Sequence, residues 1–188
     1  MKKYWPGLCL LATVLLAGCT KDRINLIQDA TQFGPYRGFI LINEYMAKET
    51  KAPSINEQGV PADWIELYVP GTDTLHLQHG KWFITDDFNV MGKYALPTVD
   101  LAPGQHYVIW CDHDDTIPGL HDVHANFNLS AKGEQIGLYY LNPGVNDTLA
   151  YDTRVFGAQT DDISEGRFPD GGSDWKTFTT PTPGAPNQ

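Results

Sequence analysis

The sequence predicts an all-β fold, an antiparallel β-sandwich, from three observations. Large apolar residues alternate with other residues over positions 63–69 and again over 82–85, which is the period of a pleated strand with one face on a core. The 18 glycines and 13 prolines mark turns at short intervals along the chain. No segment shows the sustained apolar spacing of three to four residues that an amphipathic helix requires.

The same signals place the individual elements, and they indicate one folded unit without an internal repeat. Strands are predicted, in chain order, at residues 39–45, 63–69, 82–85, 105–111, 126–130, 134–141 and 147–156. The second strand ends in a turn at Pro70 and Gly71, and the segments 126–130 and 134–141 are expected to form a hairpin with each other. Two short strands flank the turn Asp170-Gly171-Gly172.

The first residues predict an export signal that is not part of the fold. Lys2 and Lys3 precede an apolar run at 8–17, which is shorter than the about 20 residues of a membrane-spanning helix and typical of a secretory signal. The run closes in Leu-Ala-Gly-Cys, which resembles the bacterial lipobox, where the cysteine receives lipid. We therefore predict a lipoprotein signal peptide at 1–18 and lipidation of Cys19.

A lipidated cysteine would anchor the chain to a membrane without spanning it, since several acyl chains together give lasting attachment. The alternative is an ordinary signal peptide cut near Ala17. Residues 19–37 are polar and predict a flexible tether with a reach of roughly 20–25 Å, and residues 38–188 form the domain. Thr20 after the cysteine fits the outer-membrane sorting rule of enterobacteria. The expected location is therefore the outer membrane of the bacterial cell envelope, and the sequence does not indicate whether the domain lies on the periplasmic or the surface side.

Charge and cysteine content exclude two classes of protein. The net charge of −10 becomes more negative when Lys2 and Lys3 leave with the signal, so binding to nucleic-acid phosphates is not expected. Cys9 also leaves and Cys19 is consumed by lipid, so no intrachain disulfide is available. Cys111 lies in an apolar strand, where a buried small hydrophobe is favoured over a reactive thiol.

Motifs for catalysis are missing from the sequence. It contains no Gly-x-Ser-x-Gly and no glycine loop for a phosphate, and adjacent acids such as Asp86 and Asp87 would point to opposite faces of a strand. Tryptophans can stack on sugars, but four of them lie in strand patterns, and core packing is the favoured interpretation for each. These four are Trp64, Trp82, Trp110 and Trp175.

Between Phe39 and Asn187 the chain resembles the lamin-tail domain family. The segments that carry the resemblance are 42–44 (INE), 63–68 (DWIELY), 82–87 (WFITDD), 101–104 (LAPG), 126–130 (NFNLS), 133–138 (GEQIGL), 166–171 (GRFPDG) and 182–187 (TPGAPN). The resemblance implies an immunoglobulin-like antiparallel β-sandwich. It implies a binding or tethering module with no shared catalytic residues.

Two features depart from the family pattern. Val69 stands before Pro70 where the family usually has Asn, and the segment 75–82 is longer by two residues than the corresponding family pattern. The longer segment leaves the local bend, which could contain a bulge, undetermined.

One cluster of metal-ligand residue types occurs, in the loop 112–124. Its candidate ligands are Asp112, Asp114, Asp115, His121 and His124. Carboxylates suit Ca²⁺ and imidazoles suit Zn²⁺, but an EF-hand starting at Asp112 fails because Ile117 and Val123 replace the required Gly and Glu. A solvated acidic loop is the favoured interpretation, so the expectation is no cofactor and no bound metal, with Ca²⁺ as the first metal alternative and Zn²⁺ as the second.

The sequence therefore predicts a membrane-anchored, non-catalytic interaction or scaffolding module that binds an envelope protein or a glycan. The alternative is a metal-dependent hydrolase that uses the Asp/His loop at 112–124. A purely structural subunit of an envelope complex is a third interpretation.

Overall fold

The prediction of an all-β sandwich is confirmed by a computed structural model, which describes residues 39–50, 55–114, 123–142 and 147–188. The predicted signal peptide, Cys19 and the whole of the predicted tether at 19–37 lie outside these residues. The described part of the chain contains twelve strands and no helix. It accordingly has no helix with the length and apolarity needed to cross a membrane.

The strands form three sheets. Their bounds are β1 Leu41–Met46, β2 Asp63–Tyr68, β3 Leu75–Leu77, β4 Trp82–Thr85, β5 Tyr94–Ala95, β6 Val99–Leu101, β7 His106–Cys111, β8 Val123–His124, β9 Glu134–Asn142, β10 Asp147–Phe156, β11 Ser164–Arg167 and β12 Trp175–Phe178. The large sheet has the order β12-β11-β1-β2-β7-β8, the second has β10-β9-β4-β5, and β3 pairs with β6. All pairs are antiparallel except β7 with β8, which is parallel.

The main core lies between the two larger sheets. Ile65 and Leu67 on β2 face Ile84 on β4 and Leu138 on β9 in one cluster of buried side chains. Trp82 belongs to this cluster, which agrees with the packing role predicted for it. The alternation of β2 gives its inner face to the core and turns every second residue to the outer face.

The outer face of the large sheet carries a second buried apolar cluster. Trp64 and Trp110 are register partners on β2 and β7, and both pack there with Met46 and Val108. Their predicted burial is confirmed, although on the opposite side of the sheet from Trp82. Trp175 is only partly buried, and the guanidinium groups of Arg154 and Arg167 lie over its ring. Cys111 is fully buried as predicted.

Asp152 and Arg167 join the two larger sheets at the backbone of Ile42, where the β1–β2 register shifts. Asp152 on β10 accepts a hydrogen bond from the Ile42 N–H at 2.9 Å, and Arg167 Nε on β11 donates to the Ile42 carbonyl at 2.8 Å. Arg167 also donates to Asp152 Oδ2 at 3.0 Å and to the Gly172 carbonyl at 2.7 Å. Side chains thus satisfy backbone groups that a regular ladder would pair.

The predicted hairpin between residues 126–130 and 134–141 is wrong. β9 pairs with β10 on one side and with β4 on the other, so no edge is left for the preceding segment. Asn128 instead makes a single bridge to Asp112, after the end of β7. The hairpin is formed by β9 and β10. The short hairpin of β11 and β12 at the Asp170-Gly171-Gly172 turn is confirmed.

The segment that is longer than the family pattern forms a turn between two sheets. β3 belongs to the two-stranded sheet and β4 to the four-stranded one. Between them Lys81 N–H donates to the Gln78 carbonyl at 3.1 Å, and Gly80 has a φ of 77°. The left-handed conformation at Gly80 is the one that glycine adopts without steric cost.

Candidate functional site

The structure brings together two of the five predicted metal-ligand residues. Asp112 directly follows β7 and His124 lies on β8, and these strands are neighbours. His124 Nδ1 lies 2.7 Å from Asp112 Oδ2, and Asn56 Nδ2 donates to the same oxygen at 3.2 Å. Asp114 approaches through its backbone N–H, which donates to Asp112 Oδ1 at 3.2 Å. Asp115 and His121 lie outside the described residues.

The contact between His124 and Asp112 sets the chemistry of the imidazole. A carboxylate at Nδ1 favours the tautomer with its proton on Nδ1, which leaves a lone pair on Nε2. His124 is 4 % exposed, and its Nε2 atom is buried without a hydrogen-bond partner among the described residues. A carboxylate-oriented imidazole of this kind is suited to ligate a metal. Within the described ranges, however, no three His, Cys, Asp or Glu side chains gather around one point that could hold an ion.

Acidic groups crowd the same end of the sandwich. Burial, together with the charge of Glu134, raises the pKa of Asp63 to about 6. Burial raises the pKa of the Cys111 thiol well above its ordinary value, and the negative charges of Asp63 and Asp112 add to that rise. A thiol held in this protonated form is a poor nucleophile.

This end, which we call the distal end, lies opposite the point where the chain enters the sandwich. Phe39 precedes β1 and lies close to Gly71, beyond the end of β2. The distal end comprises residues 47–50, 55–62, 86–93 and 112–114, which follow β1, precede β2, follow β4 and follow β7. A hydrogen bond from Asn126 Nδ2 to the Lys93 carbonyl links the β4 loop to this end.

Apolar side chains are exposed at the distal end. Val90 and Met91 are 49 % and 41 % exposed at the tip of the loop after β4. Ile55 and Val60 are exposed on the loop before β2, which is closed by a bridge between Ile55 and Pro61. Four of the six large apolar residues that are exposed in the described ranges therefore lie at this end.

A second polar cluster, which the sequence did not indicate, lies on the outer face of the large sheet. Glu44 on β1 and Glu66 on β2 are register partners, and both side chains are completely buried. Residues 182–187, which we call the strap, cross this face and provide hydrogen-bond donors to both carboxyl groups. Burial of charged groups is costly unless hydrogen bonds or opposite charges compensate, so the partners of each carboxyl group define its state.

Glu66 has the partners of an ionised carboxylate. Its Oε1 accepts a hydrogen bond from Asn43 Nδ2 at 3.0 Å and lies 2.8 Å from His106 Nδ1. Its Oε2 accepts a hydrogen bond from Gly184 N–H of the strap at 2.7 Å. Hydrogen bonds and charge from Glu66, with further charge from Asp170, outweigh burial and raise the pKa of His106.

Glu44 has a different set of partners. Its Oε1 accepts from Ser164 Oγ at 2.5 Å and from Thr182 N–H at 3.3 Å. Its Oε2 lies 3.0 Å from Thr182 Oγ1. Burial raises the pKa of Glu44 to about 7, and the charge of Glu66 acts in the same direction.

Asn187 and Asp170 close the cluster at the end of the strap. Asn187 Nδ2 donates to the Arg167 carbonyl at 2.8 Å, and Asn187 N–H donates to Asp170 Oδ1 at 3.1 Å. Asp170 Oδ1 also accepts from Asn43 Nδ2 at 3.0 Å. Gly166 permits this approach, because a Cβ atom there would lie 2.6 Å from Asn187 Nδ2.

Comparison with known proteins gives no assignment. No protein-family model and no curated protein matches the chain. The resemblance to lamin-tail domains therefore stays a prediction. Four of the segments that carry it meet in the buried cluster, namely 42–44, 63–68, 166–171 and 182–187.

Proposed function

We propose that this chain is a membrane-anchored lipoprotein whose lamin-tail-like sandwich acts as a non-catalytic interaction module at the bacterial cell envelope, with a protein or a glycan as its partner. The observation that carries the proposal is the difference between the two ends of the domain. The chain enters near Phe39 and Gly71, while exposed apolar side chains collect at the opposite, distal end.

The predicted anchor would orient these two ends relative to the membrane. A tether that ends at the entry side would hold that side toward the lipid surface. The distal end, with Val90 and Met91 at a loop tip, would then point away from the membrane toward a partner. Loops at the end of a rigid sandwich are a common place for recognition.

The surroundings of these apolar residues resemble those of a protein interface. Interfaces combine an apolar centre with a polar, hydrated rim. At the distal end Val90 and Met91 lie next to the exposed Asn89 and the half-buried Asp87, and Asp86 in the same loop is a buried acid. Lys93 Nζ lies 2.5 Å from Asp86 Oδ1 and so offsets part of that charge.

Site-specific photo-crosslinking in producing cells tests the proposed surface. A photoreactive residue is placed at Met91 in the full chain, and a matched one is placed at Asp73, an exposed position near the entry side. We expect discrete crosslinked partners at position 91 and none at position 73. Equal crosslinking at both positions, or none at 91 together with no ligand on a glycan array, would contradict the proposal.

The anchor has its own test. Replacing Cys19 by Ser removes the predicted acceptor of the lipid, so the variant is expected in the soluble fraction while the unaltered chain stays with the membrane. A Cys9→Ser variant is the control, because Cys9 lies within the predicted signal peptide. Membrane association of a Cys19→Ser chain that mass spectrometry shows to lack residues 1–18 would exclude the lipid anchor.

A metal-dependent hydrolase remains the second candidate, and the contact between His124 and Asp112 favours it. The buried Nε2 of His124 is one ligand position, and Asp112 would orient the imidazole. Elemental analysis of the purified chain tests this candidate. A stoichiometric ion that is lost in Asp112→Ala and His124→Ala, and kept in His76→Ala, would support the hydrolase; the same low metal content in all four proteins would exclude it.

A further inference from the structure

The number of hydrogen atoms available around Thr182 bears on the protonation of Glu44. The Thr182 hydroxyl has one hydrogen, yet its oxygen lies 3.0 Å from Glu44 Oε2 and 3.0 Å from Asn187 Oδ1. Asn187 cannot supply the missing hydrogen, because its amide nitrogen donates to the Arg167 carbonyl at 2.8 Å, which fixes Oδ1 toward Thr182. One of the two contacts therefore lacks a hydrogen if Glu44 is ionised.

A proton on Glu44 Oε2 resolves the count. The carboxylic acid then donates to Thr182 Oγ1, and the Thr182 hydroxyl donates to Asn187 Oδ1. Oε1 stays an acceptor for Ser164 Oγ and for the Thr182 N–H. Every short contact in this series of hydrogen bonds then contains one hydrogen. Two of the residues in the series, Thr182 and Asn187, belong to the strap.

We propose that Glu44 is a neutral carboxylic acid in the folded protein and that its proton closes the strap, so that ionisation of Glu44 at rising pH releases residues 182–187 from the outer face of the sheet. The inference does not depend on the partner that the distal end binds. Attachment of the strap to the sheet would then depend on pH.

The charged neighbours of Glu44 support this direction. The titratable groups whose charges interact with Glu44 are Glu66 on β2 and His106 on β7. Asp170, in the turn after β11, lies 3.7 Å from His106 Nε2, and Lys176 on β12 lies over the Phe168 ring. The strap itself contributes no titratable side chain. Ionised Glu44 would face the charge of Glu66 on the neighbouring strand. Burial and that charge raise the pKa of Glu44 to about 7 and outweigh the hydrogen bonds from Ser164 and Thr182, which lower it.

Release would be local, because the strap contacts the sheet through a small number of groups. Thr182 binds Glu44, Gly184 N–H binds Glu66, and Asn187 binds Asp170 and the Arg167 carbonyl. Gly184 also lies beside Val108, which packs against the apolar cluster on the outer face. Opening would therefore expose the two carboxyl groups and part of that cluster and leave the main core closed.

Hydrogen exchange on the full chain tests the proposal. Protection factors of the strap amides, corrected for the intrinsic pH dependence of exchange, are compared between pH 5 and pH 8, with β2 and β9 amides as internal references. We expect strap protection to fall on the order of 50-fold more than that of the references, as the pKa difference between the closed and open states of Glu44 requires. Strap protection that changes only as much as the references would overturn the proposal.

A variant assigns the effect to Glu44. Glu44→Gln can donate from its amide to Thr182 and cannot ionise, so strap protection at pH 8 should equal that of the unaltered chain at pH 5. Asp73→Asn is the matched control, since it removes one exposed negative charge and should keep the full pH dependence. A pH dependence that persists in Glu44→Gln would place the switch on His106 and overturn the proposal.

Infrared spectroscopy keeps the test valid if Glu44→Gln does not fold. The unaltered chain should show the C=O stretching band of a protonated, buried carboxylic acid that disappears between pH 6 and 8. The band of Asp63 is separated with an Asp63→Asn variant, which should retain the Glu44 band. Absence of the remaining band at pH 6 would show that Glu44 is ionised and that the proposal is wrong.

Discussion

The side chain of Glu66 holds together several of the segments that meet on the outer face of the large sheet. It receives hydrogen bonds from β1, from β7 and from the strap, so three segments far apart in the chain meet at its two oxygens. In the sequence Glu66 occupies an alternate position of an amphipathic strand, which is typical of a solvent-exposed residue. Its burial could not be predicted, because the cover comes from residues 118 positions away.

At Gly166 the packing of the strap leaves no room for a side chain. Gly166→Ala should destabilise the protein by about 1–3 kcal/mol, because the new Cβ would meet Asn187 Nδ2 at 2.6 Å and the Asn43 carbonyl at 3.0 Å. Gly157→Ala is the matched control, since nothing lies within 4 Å of its Cβ position. Urea unfolding measures both. Equal free energies of unfolding for the two variants would contradict the assigned packing.

Arg167 should carry more stability than an ordinary surface arginine. Arg167→Met keeps an apolar stem but removes the guanidinium that donates to the Ile42 carbonyl and neutralises the partly buried Asp152, and we expect a loss of about 3 kcal/mol. Lys176→Met on the exposed side of β12 is the control, with an expected change below about 1 kcal/mol. Chemical denaturation at pH 6 measures both, and a loss below 1 kcal/mol for Arg167→Met would show that the contact between the sheets is dispensable.

Among the elements, strand positions were predictable from periodicity and strand pairing was not. The alternation in residues 63–69 predicted β2 to within one residue, and the strand predicted at 147–156 has the bounds of β10. The segment 126–130 has the same local pattern, but β9 bonds β4 and β10 on its two edges and has no place for it. Pairing is a competition between distant segments, and local sequence does not contain its outcome.

The order of the large sheet predicts a gradient of local stability. β2 lies between β1 and β7, whereas β12 has one neighbouring strand and is mostly exposed. Amide protection should therefore decrease from β2 to β12 by at least about tenfold, because edge strands open with less loss of buried contact. Native-state hydrogen exchange at pH 5, where the strap is expected to be closed, measures this. Equal protection in β2 and β12 would indicate one cooperative unit.

For the molecule as a whole, buried acids should make stability fall as pH rises. The folded pKa of Asp63, about 6, lies above its ordinary value of 3.8, so its contribution is full below pH 3.8 and is lost as pH rises through 6. Between pH 4.5 and 7.5 this loss is about 2 kcal/mol. His106 and Glu44, whose pKa values are also raised, act in the same direction.

Asp63→Asn tests that contribution at the distal end. The variant should lose about 2 kcal/mol less than the unaltered chain between pH 4.5 and 7.5, as measured by urea unfolding at both values. Asp73→Asn should behave like the unaltered chain. A variant with an unchanged pH slope would show that Asp63 ionises freely in the folded state.

The candidate sites were predictable only where their residues are close in the sequence. Asp112 and His124 belong to one loop, and the sequence indicated them as metal ligands together. Glu44 and Thr182 lie 138 positions apart, and no spacing rule connects an acid in a strand with a threonine in a proline-rich tail. The resemblance to lamin-tail domains named both segments without giving a reason for their chemistry.

The distance along the chain between Glu44 and Thr182 would also affect folding during the export that the N-terminal signal predicts. A chain that emerges from a translocation channel with its N-terminal part first can pair β1 with β2 early. Both carboxyl groups would then face water until residue 187 has followed. Before that moment Val108, which packs with Trp64 and Trp110, lacks its strap neighbour Gly184. A chaperone that binds apolar surface would therefore find a binding site on this face of a chain that has only partly emerged.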